Sequence, residues 1–184
     1  MKRKIKSIIG LFVLVLLGVS CGTSKQVYTT NQLDALHELV ESNKIEIEAD
    51  WAYPLPSNAL NSLSNGGLFP VGSTANQVNL IGNRNYLRIN GDSIKAQLPY
   101  YGERRIGGSF NSTDTGILLD GLVEDFETKY NEKKKRYEIR FSASKETENY
   151  QIAINIFPSK QIYLNVNSSQ STNIAYSGNV KSLE

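Results

Sequence analysis

Reactive side chains are scarce in this chain. Its 184 residues include one cysteine, one histidine, one tryptophan and one methionine. A single cysteine excludes an intramolecular disulfide, and one cysteine with one histidine supplies transition-metal sites poorly. A Ser-His-Asp or Cys-His nucleophile would have to use His37. That histidine lies in a helical pattern beside Leu36 and Glu38 and reads as a surface or flanking residue. The apolar run Ile8 to Leu17 falls well short of the ~20 residues a spanning helix needs. Basic residues form no concentrated face of the kind that nucleic-acid binding requires, so no nucleic-acid partner is expected. No long repeat, coiled coil or low-complexity tail is present.

What is there begins with an export leader. Lys2, Arg3, Lys4 and Lys6 precede the apolar run, and Gly18-Val19-Ser20-Cys21 closes it. This is the charge-apolar-small order of a secretory signal. Leu17-Gly18-Val19-Ser20-Cys21 resembles the lipobox of bacterial lipoproteins, with Gly18 where leucine is commonest. The resemblance implies cleavage before Cys21 and acylation of its thiol and new amine. Several acyl chains, at about 0.8 kcal/mol per buried methylene, hold a protein stably on a membrane. Residues 1–20 are thus expected to be a signal peptide. Residues 21–29 are the lipidated cysteine and a small, polar tether, and residues 30–184 are one domain. By the same resemblance, the lack of an acidic cluster after Cys21 favours the outer membrane, facing the periplasm. Loss of the leader leaves 16 basic against 18 acidic residues, so the net charge turns from +2 to −2.

The mature chain opens with a helical pattern. Leu33, Leu36, Leu39 and Val40 recur at three- and four-residue spacing over 30–41, with Thr30 or Asn31 as cap. The period then becomes two. Over 44–51, Ile45, Ile47, Ala49 and Trp51 are expected on one face, until Pro54 and Pro56 stop the strand. Residues 57–83, rich in Ser, Asn and Gly, read as a long loop with a short strand near 77–81. Asn85 to Leu98 reads as a hairpin about Asn90-Gly91. Residues 116–122 are a further strand. Alternating segments at 124–130, 136–144, 150–156, 162–166 and 174–180 form a closing meander. The fold class expected is α+β. One N-terminal helix packs on a strongly curved, mainly antiparallel sheet that is barrel-like when its ends meet.

Several stretches together resemble a family of small Bacteroidetes-type lipoproteins, domain of unknown function 4251. They are Lys44-Ile45-Glu46-Ile47-Glu48-Ala49, the Pro54 and Pro56 segment, and Tyr86-Leu87-Arg88-Ile89-Asn90-Gly91. With them go Leu98-Pro99-Tyr100-Tyr101-Gly102, Ile162-Tyr163-Leu164-Asn165-Val166 and Ile174-Ala175-Tyr176-Ser177-Gly178. The similarity covers about residues 30 to 181. It implies the fold and the lipoprotein habit, and it carries no catalytic residues or cofactor.

Cys21 is the expected lipidation site. Tyr100, Tyr101, Arg104 and Arg105 form the leading binding candidate. Arginine grips carboxylate or phosphate as a fork, and tyrosine offers flat contact area at low entropy cost. A structural reading stands beside it, because Tyr100 continues the core side of Leu98. Asp114, Asp120, Glu124, Asp125 and Glu127 gather the mid-chain acids, and a pair at the right separation would serve glycoside hydrolysis. A solvated strand face is the simpler reading. The function expected is therefore a lipid-anchored, non-catalytic binding module for an envelope protein or peptide. A carrier of a small apolar ligand in a β cavity and a carboxylate-dependent hydrolase remain open.

Overall fold

The computed structural model describes residues 28–105 and 116–183. Cys21, the leader and Asp114 lie outside the described residues.

Helix α1 spans Thr30–Glu41. Its cap is Thr29, one residue earlier than the pattern suggests. The Thr29 hydroxyl accepts from the Gln32 amide, and the Gln32 side chain accepts from the Thr29 amide, 2.9 Å away. Leu36, Leu39 and Val40 are buried in the common core. Strand β1, Lys44–Pro54, follows directly.

The stretch expected as a loop contains a second helix, α2, Asn58–Asn65. Ser57 caps it by accepting from the Leu60 amide, and Leu60 is its one buried residue. A helix of eight residues with one apolar anchor leaves too weak a periodic signal to read from sequence. A short strand β2, Val78–Asn79, then pairs with Trp51 and Ala52 of β1.

Strands β3 (Tyr86–Asn90) and β4 (Ser93–Pro99) form the expected hairpin, with its turn one residue further on. Asn90 pairs with Ser93, so Gly91 and Asp92 are the loop. Gly91 has φ +60° at the first loop position, where a type II′ turn requires glycine. The remaining strands are β5 (Gly116–Leu122), β6 (Glu124–Asn131), β7 (Arg136–Lys145), β8 (Glu148–Ile156), β9 (Gln161–Ser168) and β10 (Ile174–Ser182).

All pairings are antiparallel, in the order β5-β4-β3-β1-β10-β9-β8-β7-β6, with β2 beside β1. The two strands at the ends of that order are consecutive in the chain. Only Val123 separates β5 from β6, so one continuous segment pairs first with β4 and then with β7. Joining the edges in this way bends the sheet into a nearly closed barrel. Inward side chains such as Ile47, Leu87, Ile89, Ile154, Leu164 and Tyr176 are at most 1% exposed and belong to one continuous core.

Strand β1 departs from strict alternation. A bulge shifts its register against β10 between Ala49 and Trp51. Ala52 turns inward and is buried, and Trp51 turns outward beside Tyr53. This corrects the expectation that Trp51 shares the core face of Ile45 and Ile47.

Candidate functional site

The Tyr100–Arg105 segment follows β4 and lies against the loop joining β9 to β10. The Arg105 amide donates to the Gln170 carbonyl at 2.7 Å, and the Thr172 amide to the Glu103 carbonyl at 2.9 Å. The Tyr100 hydroxyl sits between the Thr172 carbonyl and hydroxyl, 2.9 Å from each. Just before it, the Pro99 carbonyl accepts from the buried Tyr176 hydroxyl at 2.8 Å. Gly102 makes the close fit possible, since a β-carbon there would collide with the Tyr100 ring and the Thr172 hydroxyl.

Arg104 turns toward Glu148, with Nη1 3.6 Å from the carboxylate. Glu148 is a buried acid at the start of β8. It accepts from the Ser171 hydroxyl at 2.9 Å, and from the hydroxyls of Ser168 and Tyr150. Burial alone would raise its pKa. The hydroxyls of Ser168, Tyr150 and Ser171, with the Arg104 charge, outweigh that and hold it below the ordinary carboxylate value. The Tyr150 hydroxyl moves the other way. Burial raises its pKa well above the usual tyrosine value, and its bond to the Glu148 carboxylate raises it further. The enclosed space here, between Tyr100, Arg104, Tyr150 and Ser171, is about 10 Å³. That is room for about one water molecule.

The four candidate binding residues thus divide. Tyr100 and Arg104 tie the segment to the barrel end, through Thr172 and Glu148. Tyr101 is half-buried and meets the Phe69 ring edge-on at 6.1 Å; burial raises its hydroxyl pKa. Arg105 is exposed.

Phe69 belongs to a region that reading by periodicity passes over. From Trp51 to Asn83, 33 residues carry no charged side chain, in a chain where charged residues make up 21%. Within this stretch, Val71 is 94% exposed, Leu68 72% and Ile81 70%; Leu55 and Leu63 are exposed as well. Local hydrogen bonds draw several of them together. The Leu68 amide donates to the Leu63 carbonyl, and Asn79 bonds both the Val71 carbonyl and the Ile81 amide. The result is an uncharged apolar arm between β1 and β3, with Tyr101 at its base. Absence of charge over a long window was the available signal.

The other candidates are placed as follows. His37 joins α1 to the β6–β7 hairpin. Its Nδ1 is 2.7 Å from the Tyr137 hydroxyl, and its ring lies 4.8 Å from that of Tyr130. Burial, then the Glu41 and Tyr130 charges, raise the Tyr137 pKa. Asp120 pairs with Lys95 and Glu127 with Lys129 on solvated faces, and Glu124 and Asp125 are exposed. Among the described residues, no group of three or more potential metal ligands occurs. A concavity of about 650 Å³ lies on the outer sheet face between Trp51 and Tyr163.

Comparison with known families fixes the relationship. The family model described as Domain of unknown function (DUF4251) matches residues 28–180. The chain belongs to the DUF4251 family. The matched span runs from just before α1 almost to the end of β10. The chain is also similar to the crystal structure of a DUF4251 family protein from Bacteroides eggerthii, at a TM-score of 0.55 and 13% identity. The alignment covers 83% of this chain and 88% of that one, and the two share the DUF4251 fold. No curated protein matches the chain.

Proposed function

We propose that this DUF4251 chain is a lipid-anchored envelope protein that binds a protein partner without catalysis. In this reading Cys21 carries the acyl chains, the protein sits on the outer membrane facing the periplasm, and the apolar arm is the docking surface. The observation that carries the proposal is the charge-free stretch 51–83 with its exposed Leu68, Val71 and Ile81. Apolar side chains this exposed and this concentrated mark interaction surfaces. Tyr101 stands at the base of the arm against Phe69, and tyrosine is a residue type that supplies interface energy.

The alternative of an apolar-ligand carrier draws little support from an interior filled by the continuous core.

Two measurements test this reading. Cys21→Ala is expected to abolish acylation and release the chain from membranes. Retention of the variant in the detergent-soluble membrane fraction overturns the anchor. A photoreactive residue at Val71 is expected to form one discrete protein adduct in the native envelope, and Leu68→Asp should remove it. The same probe at Lys133, in the β6–β7 turn, should not form it. Lipid adducts alone at Val71 would overturn the protein-docking reading.

A further inference from the structure

The geometry points to a second binding site, for a neutral glycan, in the outer-face groove between Trp51 and Tyr163. The site is independent of the apolar arm. It stands on the way one cross-strand row is built. Trp51 of β1 lies opposite Ser177 of β10, Ser177 opposite Tyr163 of β9, and Tyr163 opposite Asn155 of β8. Two strand spacings separate the tryptophan from the tyrosine, on the order of 10 Å. The residue between them is Ser177, whose hydroxyl lies 3.0 Å from that of Tyr53. Two large aromatic side chains therefore stand either side of a small polar one. The groove measures about 650 Å³, within the usual range for small-ligand sites of ~300–1,000 Å³.

The bulge in β1 is what places the tryptophan there. Without the register shift between Ala49 and Trp51, the tryptophan would continue the inward face of Ile45, Ile47 and Ala49. Bulges re-aim side chains and are concentrated beside functional sites. Here the bulge moves the only tryptophan of the chain from the core to the surface concavity.

The chemistry of the lining selects the ligand. Asn155, Gln161, Ser177 and Asn179 line the groove with uncharged groups that both donate and accept hydrogen bonds. Its two charges are already engaged. Asp50 accepts from the Asn179 amide at 2.9 Å, and Arg136 donates to Glu138 at 2.7 Å. Arg136 already has its countercharge in Glu138, and the Asp50 carboxylate disfavours an anion, so the set does not call for an anionic ligand. Flat aromatic faces favour the weakly positive C–H faces of a sugar ring, through the negative ring quadrupole. Amides and hydroxyls favour its rim of hydroxyls. A neutral pyranose chain presents both features together. Its source could be a cell-wall acetamido-sugar strand or a neutral glucan, and the two share this chemistry.

Trp51 itself provides the assay. The acylated full chain in detergent micelles is titrated with N-acetylglucosamine tetramer, cellotetraose and maltotetraose, and tryptophan emission is followed. A saturable change with at least one of the three is expected. Response to the first alone indicates an acetamido-sugar source, and response to either of the others a glucan source. Tyr163→Ala should weaken that binding about tenfold, with little change in unfolding temperature because Tyr163 lies outside the core and is 43% exposed. If Tyr163→Ala lowers the unfolding temperature, Asn155→Ala gives the same comparison. No change with any of the three sugars, or a response that both variants retain, overturns the proposal.

Discussion

Glu148 is the residue whose surroundings say most about the end of the barrel that bears the candidate segment. Three hydroxyls and one guanidinium converge on its carboxylate, from β8, β9, the β9–β10 loop and the Tyr100–Arg105 segment. Removing the charge by Glu148→Gln leaves these donors facing an amide. A loss of about 1–3 kcal/mol of stability at pH 7 is expected. The pH dependence follows from the lowered folded-state pKa. Such a carboxylate stabilises fully above its unfolded value, about 4.3, and the stabilisation fades as pH falls through the folded value. Urea unfolding should therefore show the largest gap between wild type and Glu148→Gln at neutral pH and a closing gap toward pH 3. A constant gap would show that the charge contributes nothing. Little of this cluster is legible in the sequence. Arg104 stands out by its neighbours, but its partner is 44 positions away and looks like any charged residue at a strand start. Sequence periodicity reports which face a residue occupies, and partnership across a closed sheet depends on strand order.

At the scale of elements, β1 shows how local pattern and tertiary contact combine. Its alternation from Lys44 to Ala49 is legible, and so are the proline stops. The bulge at Asp50 is not, because it is a mismatch of register with the partner strand β10. At Gly178 of β10 a β-carbon would stand on the Glu48 carbonyl oxygen and 2.7 Å from the Ala49 Cα. Backbone presses directly on backbone there, and a side chain has nowhere to turn. Gly178→Ala is expected to lower stability by about 2 kcal/mol as an overpacking change. For a chain of this length that corresponds to a fall of roughly 4–8 °C in unfolding temperature. Trp51 emission should move as well, since the strand shift needed to admit the methyl group displaces the bulge. An unchanged midpoint with unchanged emission would mean that the β1–β10 contact is looser than the structure shows. The hairpin at Gly91 illustrates the milder case. Its existence is plain from the glycine between two alternating runs, and only the seat of the turn moves by one residue.

At the scale of the whole molecule, the architecture depends on a single connection. Alternation along the chain specifies an antiparallel, curved sheet, and that much is legible. Closure is not, because 116–122 and 124–131 read simply as two successive strands, and alternation does not tell which strands stand at the two ends of the sheet. In the fold they do not pair. Val123 carries the chain from β4 as partner to β7 as partner, and its amide donates to the Asp92 carbonyl at 2.9 Å. Val123→Pro removes that donor and stiffens the chain where it changes partner. Loss of the hydrogen bond alone is worth about 1–3 kcal/mol if the carbonyl is left unsatisfied. The more telling readout is where protection from hydrogen exchange is lost. If the two ends of the sheet hold each other through this residue, amides of Ile117–Gly121 in β5 and of Thr128–Tyr130 in β6 should exchange faster together. Those of β9 and β10 at the sheet centre should keep their protection relative to global unfolding. Faster exchange confined to residues 121–125, with β5 and β6 otherwise as protected as before, would show that each edge is held by its own neighbour and that closure adds no cooperativity.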